Sequence, residues 1–238
     1  MSVTIGNRTL RVVSGSAELK PAPFNPDEVK LFDYDFDLLA RSLQSLSRDL
    51  SEIFLSKKED YLYMAQVAKA QLGESLSFQG LGATAAGQLG MQLIRAITVR
   101  NSGISGNQTP VMNWIQTYTS TGWTTLFNLS LAQTGISGSS ATNLQNRVML
   151  AFDSVIDPTV SPKIAEYDFK VGSVQYGVQS LAWMPLSNLF YGQLFGMVAV
   201  IKNGTFTMRG NVQPSTGQDN LQLLGLTFAT GDYLTYEE

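Results

Sequence analysis

The spacing of apolar residues changes between residues 72 and 91, and that change constrains the fold more than any other feature. Over residues 36–72 apolar side chains recur three and four apart; from residue 91 onward they alternate, or cluster in short runs between turn residues. A spacing of three and four marks one face of a helix, and a spacing of two marks one face of a strand. The expected fold is therefore mainly β with N-terminal helices. Strand candidates are 91–100, 111–119, 123–132, 144–152, 165–171, 174–183, 194–202, 205–213 and 220–229. The stretches between them, such as NSGISGNQTP, TGISGSSATN and PSTGQDN, are rich in turn formers. Eight or nine strands punctuated in this way predict an antiparallel β-sandwich or jelly roll. Asn203-Gly204 is a hairpin turn signal. Around it Val198, Val200, Phe206 and Met208 alternate against Lys202, Thr205, Thr207 and Arg209.

The helical part centres on FDLLARSLQSLSRDLSEIF, residues 36–54. Phe36, Leu39, Leu43, Leu46, Leu50 and Ile53 form a heptad seam, with Phe36, Leu43 and Leu50 at a and Leu39, Leu46 and Ile53 at d. The spacing predicts one helix over 35–55, opened by Asp33, Asp35 or Asp37. The flanking e and g residues are Ala40, Ser42, Ser47, Asp49, Phe54 and Ser56, mostly small and barely charged. Such flanks allow more than two helices to approach, so a homo-oligomer, preferably a trimer, is one expectation for the seam. A helix lying on its own sheet needs the same stripe. Lys57-Lys58-Glu59-Asp60 interrupts the pattern. A second helical stretch follows, with Tyr61, Met64, Ala65, Ala68 and Leu72 on one face and Gly73 as its stop.

Residues 2–13 alternate like a hairpin or an extended arm. An orphan strand tends to add to a sheet edge, either on another subunit or on its own sandwich. Residues 14–35 contain Gly15, Pro21, Pro23 and Pro26 and read as a linker, although Asn25-Pro26-Asp27-Glu28 is itself a plausible helix start. GLGATAAGQLG, residues 80–90, reads as a small-residue hinge; it lacks the Lys-Ser/Thr step of a phosphate loop. The expected organisation is an arm and linker (1–34), a helical segment (35–73), a Gly-rich hinge (74–90) and a β-sandwich domain (91–238).

Composition narrows the chemistry. The 238 residues are 44 % apolar, enough for a substantial core, and only 15 % charged. A neutral polar surface suits packing between proteins, where desolvating charge is costly. The net charge of −3 argues against nucleic acid as a partner. The chain has neither His nor Cys. Disulfides, thiolate chemistry, zinc sites and His-based proton transfer are thereby excluded. MSVTIGNRTLRVV lacks a signal-peptide pattern, and the apolar stretch Leu194 to Ile201 is too short for a membrane span. DYDFD fails as a calcium loop, because Leu38 and Gln44 stand where a Gly and a Glu are needed. Asp153, Asp157, Glu166 and Asp168 are the carboxylates available for hydrolysis, but no spacing selects a pair. Trp114, Trp123, Trp183, Tyr118, Tyr176 and Tyr191 could stack sugars or bases, or fill the core. The expectation is a protein that is not an enzyme, with no catalytic residues, cofactor or metal. Its SGISGNQT and TGISGSSATN loops would be contact surfaces.

The order of arm, helices, Gly-rich hinge and Gly/Ser/Thr/Asn-rich β-domain resembles that of bacteriophage virion proteins, above all trimeric tail-fibre, baseplate and receptor-binding proteins. LFDYDFDLLARSLQSLSRDLSEIF resembles the helix such proteins place after an attachment arm. VIKNGTFTMRGNV resembles a fibre-tip hairpin ending in an Arg-Gly step, and TSTGWTTL is similar to stretches of those tips. The resemblance implies a structural component of a fibre, baseplate or head decoration, made in the host cytoplasm and located in the virion. It implies assembly with its own copies, with other virion proteins through the arm, and contact with host surface glycans. The strand count also fits a jelly-roll capsid shell protein or a carbohydrate-binding β-sandwich.

Overall fold

Every residue of the strand Val148–Asp157 is buried, although its sequence VMLAFDSVID carries two aspartates. Burial on both faces means that layers cover both sides of the sheet, and it explains a run that is nearly all apolar rather than alternating. In the computed structural model this strand lies inside a large sheet, with helices on one face and a smaller sheet on the other. The structure describes residues 1–5, 7–73, 77–78, 88–94, 98–100, 108–110, 114–118, 121–131, 148–159, 161–201, 204–213 and 217–230.

The elements run β1 (Ser2–Ile5), β2 (Arg8–Val13), α1 (Pro26–Leu43), α2 (Arg48–Leu55), α3 (Lys58–Leu72), β3 (Ser77–Phe78), β4 (Gln88–Leu93), β5 (Thr98–Arg100), β6 (Gln108–Pro110) and β7 (Trp114–Tyr118). They continue with β8 (Gly122–Ser130), β9 (Val148–Asp157), β10 (Ile164–Val171), β11 (Val174–Ser180), β12 (Trp183–Pro185), β13 (Phe190–Val200), β14 (Thr205–Val212) and β15 (Gly217–Thr230). The large sheet runs β1-β2-β13-β9-β15-β4-β3, with β12 joined to β13 and β7 to β15; the small sheet runs β11-β10-β14-β8. The fold is thus mainly β, a sandwich of two sheets with three helices near its N-terminus, as the change of period predicts.

Two apolar clusters hold the layers together. Between the sheets, Leu150, Phe152, Val198 and Val200 of the large sheet meet Tyr167, Phe169, Phe206 and Met208 of the small one. On the opposite face, Met149, Ala151, Ala199, Leu226 and Phe228 meet Phe32, Phe36, Phe54, Tyr61 and Met64 from the helices. The rings of Phe36 and Phe54 stack at 4.7 Å with a 7° interplanar angle.

The parity of β9 slips once. Residues 148, 150 and 152 face the small sheet, and so does Val155, while Ile156 faces the helices. Asp153 is the extra residue: the register with β15 steps from Leu224–Ser154 to Gly225–Phe152, and the register with β13 is irregular at the same place. This is a β-bulge, which re-aims a side chain out of the regular ladder. Gly225 makes it possible, because a Cβ there would lie 2.5 Å from Phe152 Cβ and would also strike the Ala151 carbonyl oxygen.

The helices depart from the expected single helix over 35–55. α1 begins at Pro26, capped by Asn25, whose side chain accepts from Asp27 N at 3.0 Å and Glu28 N at 2.9 Å. Glu28 returns the bond, accepting from Asn25 N at 2.8 Å, which completes a capping box. Asp33, Asp35 and Asp37 are consequently mid-helix residues, not helix-start acids. The chain turns at Gln44–Ser47, and Ser47 caps α2. Serines explain the break: Ser42 Oγ donates to Leu39 O at 2.6 Å and Ser45 Oγ to Ser42 O at 2.9 Å, competing with the helix ladder. Gly73 ends α3 at φ 147°, as its position predicts.

The heptad seam lies on the chain's own sheet. Phe36, Leu39, Leu43 and Leu50 are buried in the helix–sheet cluster, and Leu46 and Ile53 pack against it partly buried. The break at Gln44–Ser47 means that the six residues do not form one coiled-coil stripe. The arm likewise folds back: β2 pairs in parallel with β13, Val12 with Met197 and Val13 with Val198. Among the β expectations, 91–100 begins earlier, at Gln88, and 174–183 divides into β11 and β12. Residues 79–87 of the expected hinge, the loop residues 101–107 and 132–147, and Asn203 of the Asn-Gly turn lie outside the described residues.

Candidate functional site

A dense group of ionisable side chains sits where α2 meets α3. Lys57 fills that junction with φ −102° and ψ 11°, and its side chain makes no capping bond to α3. It runs instead to the bulge of β9. Lys57 Nζ lies 2.6 Å from Asp153 Oδ2, 2.6 Å from the Tyr191 hydroxyl and 3.0 Å from Gln193 Oε1. Both ions are nearly removed from water, with side-chain exposures of 12 % and 8 %. Ser154 Oγ donates to Asp153 Oδ1 at 2.8 Å, and Gln193 Nε2 donates to Asp153 O and Oδ2 at 3.1 Å each. Tyr191 donates to Gln193 Oε1. All three hydrogens of the ammonium thus find oxygen partners, as a buried charge requires.

Electrostatics follow from this geometry. Burial pulls the Lys57 ammonium toward deprotonation, but Asp153 and Tyr191 outweigh it and leave the pKa raised. Tyr61, fully buried beside Asp153, is held well above the ordinary tyrosine value, by desolvation first and then by the aspartate charge. Its hydroxyl has no hydrogen-bond partner of ordinary geometry among the described residues. Tyr191 is raised by burial and by Asp153, with Lys57 acting in the opposite sense. A lysine held protonated and two tyrosines held neutral are poor nucleophiles and poor bases.

A polar cleft of about 350 Å³ opens above this group, lined by Arg8, Arg11, Lys57, Asp60, Gln193 and Phe195 among others. Arg8 pairs with Asp60, and the Arg11 guanidinium lies 3.7 Å from the centre of the Phe195 ring. Two of the cleft's three cations, Arg8 and Lys57, are thus paired with aspartates, while Arg11 is stacked on a ring. A second clamp lies nearby: Lys58 Nζ bridges Asp33 at 3.1 Å and Asp37 at 2.9 Å, which is the work of the alternating acids in DYDFD. Among the described residues no group of three or more acids could hold a metal.

The four carboxylates considered for hydrolysis have different partners, although Glu166 and Asp168 stand two residues apart on the outer face of β10. Asp153 belongs to the lysine group. Asp157 accepts from Thr159 N at 2.9 Å and Asn220 N at 3.3 Å. Glu166 accepts from Asn211 Nδ2 at 2.9 Å. Asp168 takes a two-point contact from Arg209, at 3.0 Å to Nε and a shorter one to the terminal nitrogen. No two of them share a described partner. Of the aromatic candidates, Trp183 donates Nε1–H to Ile164 O at 2.6 Å, Tyr176 stacks on Phe169 at 5.0 Å, and Tyr191 holds Lys57. The side chains of Trp114 and Tyr118 lie outside the described residues. Trp123 alone of the described tryptophans stands on the surface.

Sequence reading passes over Lys57 and Gln193. The available signals are a lysine pair ending the apolar stripe and an aspartate inside a largely apolar strand, which together mark a buried pair only once the layers are known.

No family model matches the chain, and no curated protein matches it. Among solved structures it is similar to the crystal structure of the infectious bursal disease virus VP2 subviral particle, at 11 % identity and a TM-score of 0.25. The alignment covers 60 % of this chain and 33 % of that one, so the chain spans about a third of that structure's length.

Proposed function

We propose that this chain is a structural subunit of a virion, assembling with its own copies through the surfaces of its β-sandwich, and that it turns over no substrate. One observation carries the reading: three ion pairs built on buried carboxylates each join one element to another. Lys57–Asp153 joins helix to sheet, Lys69–Glu28 joins α3 to α1, and Arg209–Asp168 joins β14 to β10. Groups tied in this way hold the layers in register. The low charge of the surface supports the same reading, since it lowers the cost of desolvating large contact areas. The likeness of VIKNGTFTMRGNV and TSTGWTTL to virion tip segments adds the viral setting. With Phe36, Leu39, Leu43 and Leu50 buried against the chain's own sheet, the reading assigns subunit contacts to the sheets and the loops between strands.

The test is native mass spectrometry with negative-stain imaging of the purified chain over a wide concentration range. Rings, shells or fibres of uniform size are expected. A chain that stays monomeric throughout, or one that hydrolyses a polysaccharide and stops when Asp153 or Asp168 is replaced by Asn, would overturn the proposal.

A further inference from the structure

The outer face of the small sheet carries one exposed aromatic side chain in a field of hydrogen-bonding groups. Trp123 is 43 % exposed, at the start of β8. The register places Asn211 of β14 between Trp123 and Glu166 of β10, and Arg209 between Thr125 and Asp168. The polar groups beside the indole are already fixed in position. Asn211 is held by Glu166 at 2.9 Å, Arg209 by Asp168, and the Arg209 guanidinium carbon lies 5.4 Å from the Trp123 ring centre. Asn211 also lines a shallow cleft of about 530 Å³, together with Thr121, Gly122, Val212 and Gln213. Gly122, at φ 114°, leaves the floor of this cleft open: a Cβ there would meet nothing within 4 Å.

The geometry points to a binding site for a neutral glycan. A pyranose has an apolar C–H face that stacks on an indole and a rim of hydroxyls that needs planar donors and acceptors. Here the indole stands beside an amide, a carboxylate and a guanidinium, and the cleft next to it is of the size small ligands occupy. Charge selects the class of glycan. Glu166 and Asp168 are balanced on this face by Lys170 and Arg209, so neither an anionic nor a cationic ligand gains from the field. Because the polar groups hold one another, little ordering is needed on binding. The inference adds a ligand to the assembly reading and does not depend on it.

The test uses the full chain, labelled with ¹⁵N, titrated with neutral cello-, malto-, chito- and manno-oligosaccharides and with a heparin oligosaccharide as the anionic control. One of the three tryptophan indole N–H signals should shift and saturate with a neutral oligosaccharide. Trp123→Ala should weaken that binding at least tenfold at unchanged melting temperature and native mass, and Asn211→Ala should weaken it less. If Trp123→Ala proves unstable, Trp123→Phe should retain binding and Trp123→Ser should not. No response to any neutral oligosaccharide, binding of heparin alone, or undiminished binding by Trp123→Ala would overturn the site. A changed native mass in Trp123→Ala would make the indole a subunit contact and overturn it as well. Assembly without sugar binding removes only this inference, and sugar binding by a permanent monomer removes only the assembly reading.

Discussion

The Lys57 ammonium sits 2.6 Å from Asp153 Oδ2 and joins the turn between α2 and α3 to the bulge at the centre of the large sheet. Removing one partner leaves the other charge buried and unpaired. Lys57→Met or Asp153→Leu alone should therefore cost about 3–5 kcal/mol, while the double variant should recover much of the loss. Urea unfolding of the two single variants and the double variant measures the coupling. Additive losses would mean that the pair does not act as a unit.

The same group governs alkaline stability. Lys57 is raised in the fold above its ordinary 10.5, and Tyr61 is raised well above 10.0. A raised value means that the folded state holds its proton longer than the unfolded chain does. Stability from these groups is complete below pH 10 and is lost as pH rises beyond the ordinary values toward the folded ones. Unfolding free energy should fall above about pH 10, and Tyr61→Phe should make that fall shallower. An unchanged slope in Tyr61→Phe would show that Tyr61 does not carry the effect.

Glu28 predicts the opposite limb. Burial raises its carboxyl, but bonds from Asn25 N, Lys69 and Phe78 N reverse the shift and leave it lowered from 4.5. A lowered value contributes stability above the ordinary value that is lost as pH falls through the folded one. Glu28→Gln should cost about 1–3 kcal/mol at neutral pH, by weakening the capping box and the link to Lys69. It should also flatten the loss of stability below about pH 4.5. Acid titration monitored by circular dichroism compares the two chains.

The change of period at residues 72–91 was sufficient to read the fold class, because helix and strand bury different spacings. It also located β8, β9, β10, β13, β14 and β15 to within a few residues. The target of the helical stripe was not legible. Phe36, Leu43 and Leu50 satisfy a heptad and a sheet-facing helix equally, and only the layer order decides between them. The helix break at Gln44–Ser47 escaped for a local reason: its serines bond to the backbone, whereas the apolar spacing runs on unbroken. Asp153 is legible in the sequence only as an acid; its role comes from a bulge, and bulges leave no periodic mark when both faces of a strand are apolar.

That bulge depends on Gly225. A Cβ at this position would stand 2.5 Å from Phe152 Cβ and 2.6 Å from Phe152 Cα, in the middle of the large sheet. Backbone cannot rotate aside as a side chain can, so Gly225→Ala should cost about 1–3 kcal/mol or more. Gly177→Ala is the comparison, since a Cβ there meets nothing within 4 Å. Its melting temperature should change little. Equal losses in the two variants would remove the steric account of Gly225.

The last prediction separates a core stripe from an oligomer seam. Leu43 is fully buried in the helix–sheet cluster, and Phe36 stacks on Phe54 and lies 5.7 Å from Tyr61. Phe36→Ala should destabilise the single subunit by about 3–5 kcal/mol. Leu43→Asp places an unpaired charge in the same cluster, and the subunit should lose its cooperative unfolding transition. A seam between copies predicts something else: a folded monomer with a normal melting transition and a reduced native mass. Calorimetry and native mass on Leu43→Asp distinguish the two outcomes. A well-folded monomer from that substitution would show that the stripe faces other copies of the chain.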